Sequence, residues 1–313
     1  MVLPEPGVQT HIAVGNINLD ISLSVDRLPG PEEVVFARDA WIGVGGAATN
    51  YAIAVAQLGQ KPVLVAVAGR EMERLGVVDT LRRRGVDVSR VKTVDRPSGV
   101  VVVMVVASDS HRSMVSMRGA NEELLKYIEE EPLDGVSGEC HVHMASVPPQ
   151  ALDFAPGGCT LSYDPGGEAF KRPKSLWSRL PRVDWMFINT PELKGMSGSG
   201  DLAAAYRLLE SGLKRLVLKH GRGGATVVER GFCVTLDRTP VLEPVDVTGA
   251  GDAFDAAFNI AVKAGWSVEE ALRLAVAAGS AKVLRRGSSN MPTASEVLAM
   301  LPRVAYPRDC SLT

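Results

Sequence analysis

Short apolar, β-branched segments alternate with longer segments of helical periodicity from about Thr10 to the end of the chain. This alternation is typical of βαβ units, in which a crossover helix connects each parallel strand to the next. It predicts an α/β fold with a mostly parallel central sheet and helices on both faces. Core strands are predicted at 11–14, 63–68, 140–144, 160–163, 185–188 and 215–218. Helices are predicted at 47–58, 73–84, 122–128, 202–210, 250–264, 268–283 and 295–301.

Two segments, 20–42 and 91–117, interrupt this alternation with short extended stretches and no crossover helix. The first is predicted to hold strands at 21–25 and 33–36. Both segments are expected to lie outside the core sheet and to form a small β-sheet lid on it. Since no flexible linker separates them from the rest, residues 1–313 are expected to form a single domain that carries the lid as insertions.

The lid is also the expected interface between two copies of the chain. Its apolar side chains exceed what a small sheet can bury against the core, and exposed strand edges invite pairing. These side chains are Val34, Phe36, Val101, Val103 and Val105. The sequence therefore predicts a homodimer that forms through the lid.

Charge and composition limit the partners and the location. The chain carries 34 Lys and Arg against 36 Asp and Glu, a net charge of −2, which excludes a global field that gathers nucleic acid or anionic membranes. Its longest apolar run, 100–107, is too short to span a bilayer. No basic residue or apolar segment near the N-terminus suggests a secretory signal, so a cytoplasmic location is expected.

The four cysteines are predicted to be reduced and mostly buried. They are far apart, form no CxxC motif, and a chain of this length does not need disulfides to fold. They are Cys140, Cys159, Cys233 and Cys310. The chain has only 7 Asn and 4 Gln, a trend reported for thermophilic proteins.

The most specific motif is Asp246-Val-Thr-Gly-Ala-Gly-Asp-Ala-Phe254, which opens an apolar helix. The small residues Gly249, Ala250 and Gly251 let backbone N–H groups converge at the helix N-terminus, where an anion is stabilised without a lysine in the segment. A carboxylate beside that anion, Asp252, suits a general base for a hydroxyl that attacks phosphorus. The alternative is that Asp252 only complements the helix dipole.

A second glycine segment precedes the helix predicted at 47–58. Gly43, Gly45 and Ala48 satisfy a loose GxGxxA pattern, which raises the alternative of a dinucleotide-binding dehydrogenase. That alternative is disfavoured, because no acidic residue ends the next strand to bind a ribose. Instead, Gly45 and Gly46 permit close approach of a polar ligand, and Asn50 lies one turn further on to hydrogen-bond it.

A third element follows the first predicted strand. Asn18 and Asp20 are two residues apart, so they share one face of an extended chain. An amide beside a carboxylate suits recognition of vicinal hydroxyls. An ordinary Asx-rich turn is the alternative.

Together these elements resemble the ribokinase-like carbohydrate kinases, the PfkB family, over essentially the whole chain. Asn189-Thr-Pro-Glu192 matches the family's N-x-x-E motif. The stretch from Lys219 to Gly224 is similar to its strand followed by a glycine loop, and 286–288 is similar to its last loop beside the adenine. The resemblance implies a β lid and a site between lid and core.

Residue by residue, the resemblance assigns three groups. It implies Asp252 as general base and Gly249, Ala250 and Gly251 as anion hole. The acceptor residues it implies are Asn18, Asp20, Gly45, Gly46 and Asn50. On the nucleotide side it implies Asn189, Lys219, Gly221, Gly223 and Gly287, with Glu192 organising Mg²⁺ through water.

The resemblance further implies ATP as co-substrate, Mg²⁺, and a monovalent cation such as K⁺. The expected acceptor is a primary hydroxyl of a small sugar, with a nucleoside or a 2-keto-3-deoxygluconate-type sugar acid as alternatives. Ala47 departs from the lysine that ribokinases carry after the glycine pair, which weakens a strict ribose assignment. A non-catalytic sugar-binding paralogue is disfavoured, since Asp252 and its anion hole are intact.

Three other residues, His141, His143 and Arg118, have weaker signals of function. His141 and His143 share a strand face without a second cluster opposite, so structural or substrate-lining roles are favoured over metal binding. Arg118 follows the lid strands, where it could reach an acidic or phosphorylated acceptor or serve only as a surface residue.

Overall fold

The computed structural model describes residues 3–5, 7, 9–106, 112–133, 140–171, 174–241 and 243–310. Its strands are β1 Thr10–Gly15, β2 Asn18–Val25, β3 Asp39–Gly45, β4 Lys61–Gly69, β5 Val91–Val94, β6 Gly99–Val106, β7 Arg112–Met117, β8 Cys140–Ala145, β9 Thr160–Asp164, β10 Trp185–Asn189, β11 Arg215–Lys219, β12 Ala225–Glu229, β13 Phe232–Leu236 and β14 Arg308–Asp309.

The α-helices of the described residues are α1 Ala47–Gln57, α2 Arg70–Arg74, α3 Val77–Arg83, α4 Leu124–Glu130, α5 Lys174–Trp177, α6 Thr190–Ser197, α7 Leu202–Glu210, α8 Ala250–Lys263, α9 Val268–Lys282 and α10 Ala294–Met300. No helix in these ranges is long and apolar enough to cross a membrane.

The main sheet has the strand order β14-β13-β12-β11-β10-β9-β8-β1-β4-β5. From β11 to β5 in this order each strand is parallel to the next, and β12, β13 and β14 add an antiparallel edge. The central strands are buried on both faces, which is why they read as continuous apolar runs. One apolar core lies between the sheet and helices α1, α8 and α9, and a second lies under α4 and α7. The predicted α/β architecture and its six core strands are confirmed.

The lid is a separate sheet of order β3-β2-β6-β7. Strand β2 pairs antiparallel with β3 and parallel with β6, and β6 pairs antiparallel with β7. This sheet confirms the prediction of a small lid. Part of the second insertion, 107–111, lies outside the described residues.

Three local expectations are wrong. No strand forms at 33–36, where Val34 and Phe36 lie exposed in the loop before β3. Strand β5 was expected in the lid but pairs with β4 at the edge of the main sheet. The helix expected at 73–84 is divided into α2 and α3, because Gly76 between them adopts a left-handed φ of 68°.

The expectation of reduced cysteines is also wrong. Cys140 is bonded to Cys159, and Cys233 to Cys310, with Cα–Cα distances of 4.8 and 5.4 Å. Each pair joins neighbouring strands: β8 lies beside β9, and the backbone N–H of Cys310 donates to the carbonyl of Cys233. Sequence spacing alone could not show these neighbours, because the pairs are 19 and 77 residues apart.

Candidate active site

A cavity of about 670 Å³ opens at the carboxyl ends of three consecutive parallel strands. Asp164, Asn189 and Lys219 are the last residues of β9, β10 and β11, and all three line the cavity. Ligands of open α/β sheets bind at this edge. The predicted residues that line the cavity are Asn189, Glu192, Lys219, Gly221, Gly249, Ala250, Gly251 and Asp252.

The predicted anion hole lies at the N-terminus of α8. Gly249 caps this helix with a left-handed φ of 82°, and a Cβ there would lie 2.1 Å from the carbonyl oxygen of Ser288. Only glycine fits both the conformation and the space. The first N–H groups of α8 and its dipole therefore face the cavity, an arrangement that stabilises a phosphate.

Asp252 lies in the first turn of α8 and lines the cavity. The side-chain amide of Asn50, Nδ2, donates to its Oδ2 at 2.8 Å. Burial raises the pKa of Asp252 to about 7, although the Asn50 hydrogen bond and the charge of Lys219 lower it. A carboxylate with this pKa near neutral pH suits a general base.

The predicted acceptor residues form a compact polar group beside the cavity, although none of them lines it. Asp20 packs so closely on the glycine pair that a Cβ on Gly45 would lie 1.9 Å from its Oδ2. Ser288 donates to the same oxygen at 2.7 Å, and Asn121 donates to Oδ1 of Asn18 at 2.9 Å. Burial raises the pKa of Asp20 to about 6.

Two oxygens of this group have no protein partner. Oδ1 of Asp20 and Oδ1 of Asn50 are buried without a hydrogen bond among the described residues. Buried acceptors without partners are costly, and a ligand that donates hydrogen bonds would satisfy them. Because Asn50 also binds Asp252, such a ligand would lie next to the base.

On the nucleotide side, Asn189 and Glu192 form a reciprocal capping box at the start of α6. Each side chain accepts from the other residue's backbone N–H at 2.8 Å. Burial and the charge of Asp164 raise the pKa of Glu192 to about 7. The capping box fixes the Glu192 side chain at the wall of the cavity.

The donor set fits the implied Mg²⁺. This cation usually binds one or two carboxylates together with substrate phosphates and water. Glu192 supplies a carboxylate at the cavity wall, and Asp164 supplies another. The described residues hold no cluster of three ligating side chains that would bind a metal without substrate.

Lys219, predicted on the nucleotide side, lies next to the anion hole, although the glycine segment itself holds no lysine. Its Nζ lies 3.3 Å from where a Cβ on Gly251 would be. It is held there by Asp164 at 2.8 Å and by Asp255 at 3.0 and 3.1 Å. The lysine is distant from the glycine motif in sequence, so only the fold brings the cation beneath it.

Two predicted nucleotide residues are not brought to the cavity. Gly223 lies in the turn after β11, where a Cβ would contact His220. Gly287 packs against the indole of Trp41, and its N–H donates to Oδ2 of Asp246 at 2.9 Å. Of the two loops, 219–224 contributes residues to the cavity wall, whereas 286–288 does not, and the nucleotide roles of both stay predictions.

Sequence reasoning missed Asp164, Asp255 and Ser288. The signal for Asp164 was present, since it follows a predicted strand whose neighbours also end in polar residues. Asp255 lies inside an apolar helix, and a carboxylate in that position predicts a buried partner. Ser288 gave no sequence signal, because its contact with Asp20 spans 268 residues.

The remaining candidates, His141, His143 and Arg118, bind other side chains of the protein. His141 and His143 are buried, hydrogen-bond to Thr160 and Ser162, and their pKa values are lowered by burial, as the structural interpretation predicts. Arg118 is ion-paired with the buried carboxylate of Glu168.

The site combines a helix N-terminus that suits a phosphate with a neighbouring carboxylate and a lid. This combination is typical of a kinase that acts on small molecules. The comparisons agree: residues 9–294 match the model of the pfkB family carbohydrate kinases, so the chain belongs to that family. The prediction of an ATP-dependent carbohydrate kinase is thereby confirmed.

Among its relatives is an ATP-dependent ribose-1-phosphate kinase of Halopiger xanaduensis, 30% identical, with 93% of this chain and 97% of the relative covered. A ribokinase of Arabidopsis thaliana is 29% identical, with 95% and 83% covered. The structure of Arabidopsis thaliana ribokinase with ribose and ATP superimposes with a TM-score of 0.77 at 27% identity, covering 96% and 99% of the chains. A Methanocaldococcus jannaschii nucleoside kinase shares the fold, with a TM-score of 0.82, 22% identity, and 95% and 99% covered.

Proposed function

We propose that this enzyme transfers the γ-phosphoryl group of ATP to a primary hydroxyl of a small neutral sugar, with Asp252 as general base. The observation that carries the proposal is the Asn50–Asp252 hydrogen bond of 2.8 Å. It joins the polar group with two unpartnered oxygens to the carboxylate beside the anion hole. An acceptor bound to this polar group would present its hydroxyl to the carboxylate of Asp252.

In the proposed reaction, Asp252 removes the proton of the acceptor hydroxyl as its oxygen forms a bond to the γ-phosphorus. The bond from that phosphorus to the β-phosphate oxygen breaks, and ADP leaves. Backbone N–H groups of 249–251 stabilise the charge on the transferred group. Mg²⁺ near Glu192 would neutralise phosphate charge when the nucleotide is bound.

The polar group favours an acceptor with several hydroxyls. An ionised Asp20 and the amide oxygen of Asn50 accept hydrogen bonds, which sugar hydroxyls donate. Arg118 is already paired with Glu168, so we rank a neutral sugar above a sugar acid. A nucleoside also offers ribose hydroxyls and is the second candidate, since a Methanothermobacter thermautotrophicus nucleoside kinase is 27% identical to this chain over 92% of its length.

The test is ADP release in a coupled assay with separate panels of neutral sugars, sugar phosphates, sugar acids and nucleosides. Acceptor-dependent turnover highest with a neutral sugar is expected. Turnover confined to nucleosides, sugar acids or phosphorylated sugars would show that the acceptor belongs to that class and not to the neutral sugars. Omission of Mg²⁺ is expected to abolish turnover, and omission of K⁺ tests the monovalent cation separately.

We also propose a homodimer, through the lid face opposite Asp20. Ile42, Ile21, Val102 and Val115 are in register across all four lid strands, so their side chains share this face. Ile42 and Val115 are 64% and 65% exposed. A row of apolar side chains of this kind suits an isologous contact with a second copy.

This face differs from the one expected from the sequence. Val101, Val103 and Val105 alternate with Val102 and share the side of Asp20, and Val103 is buried. Met114, the register partner of Val103, lines the cavity, so this face of the lid is turned toward the site. Light scattering of the wild-type protein at micromolar concentration should give the mass of two chains, and the mass of one would exclude the dimer.

We keep the proposal of a cytoplasmic location, where ATP is available. Two disulfides are unusual there, except in proteins of hyperthermophiles. The disulfides thus support the thermophilic source that the scarcity of amide side chains suggests. A melting temperature in the range of mesophilic domains would contradict this source.

A further inference from the structure

A buried cluster of charges lies directly beneath the anion hole. Asp255 follows Asp252 by three residues on α8 and is fully buried. Its two carboxylate oxygens lie 3.0 and 3.1 Å from Nζ of Lys219, which also binds Asp164 at 2.8 Å. Asp255 does not line the cavity, whereas Lys219 and Asp164 do.

Stability alone does not account for this cluster. Burying two carboxylates and an ammonium costs free energy, and apolar side chains of similar volume often serve as well. Nζ of Lys219 lies between the carboxylates of Asp164 and Asp255, and opposite charges at this distance favour the charged ammonium. The cluster therefore holds an ammonium at one defined position in the cavity wall.

The ammonium of Lys219 lies next to the anion hole. Nζ of Lys219 lies 3.3 Å from where a Cβ on Gly251 would be, so it reaches the same space as the backbone of 249–251. Nζ has three protons to donate, and its contacts to two carboxylates leave it able to turn one toward the cavity. A phosphate oxygen held by the helix N-terminus would lie within its reach.

We propose that Asp255 is a positioning residue that, together with Asp164, holds Lys219 beneath Gly251 to contact a phosphate of the bound nucleotide. The inference rests on the proposed kinase reaction but concerns only its nucleotide side. Asp255 contacts neither substrate and acts through the place and orientation of the ammonium.

The surroundings of Asp255 leave Lys219 as its cationic partner. Beyond Asp164 and Lys219, the ring of His143 on β8 also approaches Asp255, with Nε2 4.0 Å from its Oδ2. Burial lowers the pKa of His143 to about 3, so this ring is neutral. Loss of the Asp255 carboxylate would therefore leave Lys219 with Asp164 on one side only.

The experiment measures Mg²⁺-dependent ADP binding by calorimetry, which needs no knowledge of the acceptor. Asp255→Ala is expected to weaken ADP about 10- to 100-fold, the range of a lost charge-assisted hydrogen bond. Asp255→Asn retains the shape and one acceptor for Lys219, so it should recover most of the affinity. In turnover, KM for ATP should rise while KM for the acceptor stays within about twofold.

Asn259→Ala is the matched control. Asn259 lies one turn further along α8, is equally buried, and hydrogen-bonds Trp185, Ser162 and Tyr51 but not Lys219. The Asn259→Ala variant should have a lower melting temperature than wild type and the same affinity for ADP. Equal ADP affinity in Asp255→Ala and wild type would overturn the proposal, as would equal weakening in both alanine variants.

If Asp255→Ala does not fold, Lys219→Met combined with Asp255→Leu removes both charges of this pair. Asp164 then loses its cation, but it lines the cavity, where water can solvate it. The double variant should fold and lose ADP affinity at least about tenfold, and wild-type affinity would refute the contact. Weakened ADP binding in a protein that phosphorylates no sugar would support this inference and refute only the proposed acceptor.

Discussion

Removal of the Asn50 side chain should move the pH dependence of turnover. Asp252 must be ionised to accept a proton, and its pKa is about 7 because the carboxylate is buried. At saturating ATP and acceptor, kcat should therefore fall about tenfold per pH unit below that value. The Asn50 amide lowers this pKa, because Nδ2 donates to Oδ2 of Asp252 at 2.8 Å.

The size of the shift follows from that hydrogen bond. A hydrogen bond to a charged group contributes about 1.5–3 kcal/mol, and about 1.4 kcal/mol corresponds to one pKa unit. Asn50→Ala removes a bond that favours the ionised form, so the pKa of Asp252 rises. The acid limb of kcat should move to higher pH by about one to two units.

The assay is a kcat–pH profile of wild type and Asn50→Ala, with acceptor concentration raised until turnover saturates. Saturation is necessary because Asn50 also belongs to the acceptor group. Glu192→Gln is the matched control, since the pKa of Glu192 is also raised to about 7 by burial. An acid limb that disappears in Glu192→Gln, or one that stays in place in Asn50→Ala, would refute Asp252 as the titrating base.

Four other outcomes are expected. Asp252→Asn should lower kcat by about 10²–10⁴, and unchanged kcat contradicts the base. Ionising this buried carboxyl costs stability as the pH rises from its ordinary pKa of 3.8 to the raised value of about 7, so above pH 7 the variant should be more stable than wild type by up to about 4 kcal/mol. Asp20→Ala should raise KM for the acceptor about 10- to 100-fold and KM for ATP less than about twofold, whereas equal effects would place Asp20 elsewhere. Val102→Asp should give monomers by light scattering while Val103→Asp stays dimeric with weaker acceptor binding, and the reverse pattern would reassign the interface. Cys310→Ser, which opens a disulfide spanning 77 residues, should lower the unfolding free energy by about 4 kcal/mol in oxidising buffer and change nothing under reductant.

Most of the fold could be predicted because its signals are local. The six core strands and the helix Leu202–Glu210 follow from periodicity within a few residues. The lid was recognised because strand patterns without a crossover helix cannot continue a parallel sheet. Local patterns failed at 33–36, where an extended sequence has no partner strand, and at β5, whose partner β4 belongs to the main sheet.

The site could be predicted only in part, for the same reason. Gly249 and Asp252 were found because a helix N-terminus, its glycines and its first carboxylate are adjacent in sequence. Gly45 lies against the carboxylate of Asp20, and the approach of a ligand to the glycine pair stays a prediction. Residues such as Asp255 and Ser288 contact a side chain that is distant in sequence, so they formed no local motif that could be recognised.

The sequence by itself thus determined the alternating α/β elements, the lid segments and the phosphate-binding helix start, since backbone propensity and periodicity act between near neighbours. Only the tertiary structure decided that Asn50 binds Asp252 across 202 residues, that Lys219 lies beneath Gly251, and that Asp255 holds it there. It also decided that Cys233 meets Cys310. Such contacts depend on strand order and register, and these are fixed only when the whole sheet packs against its helices.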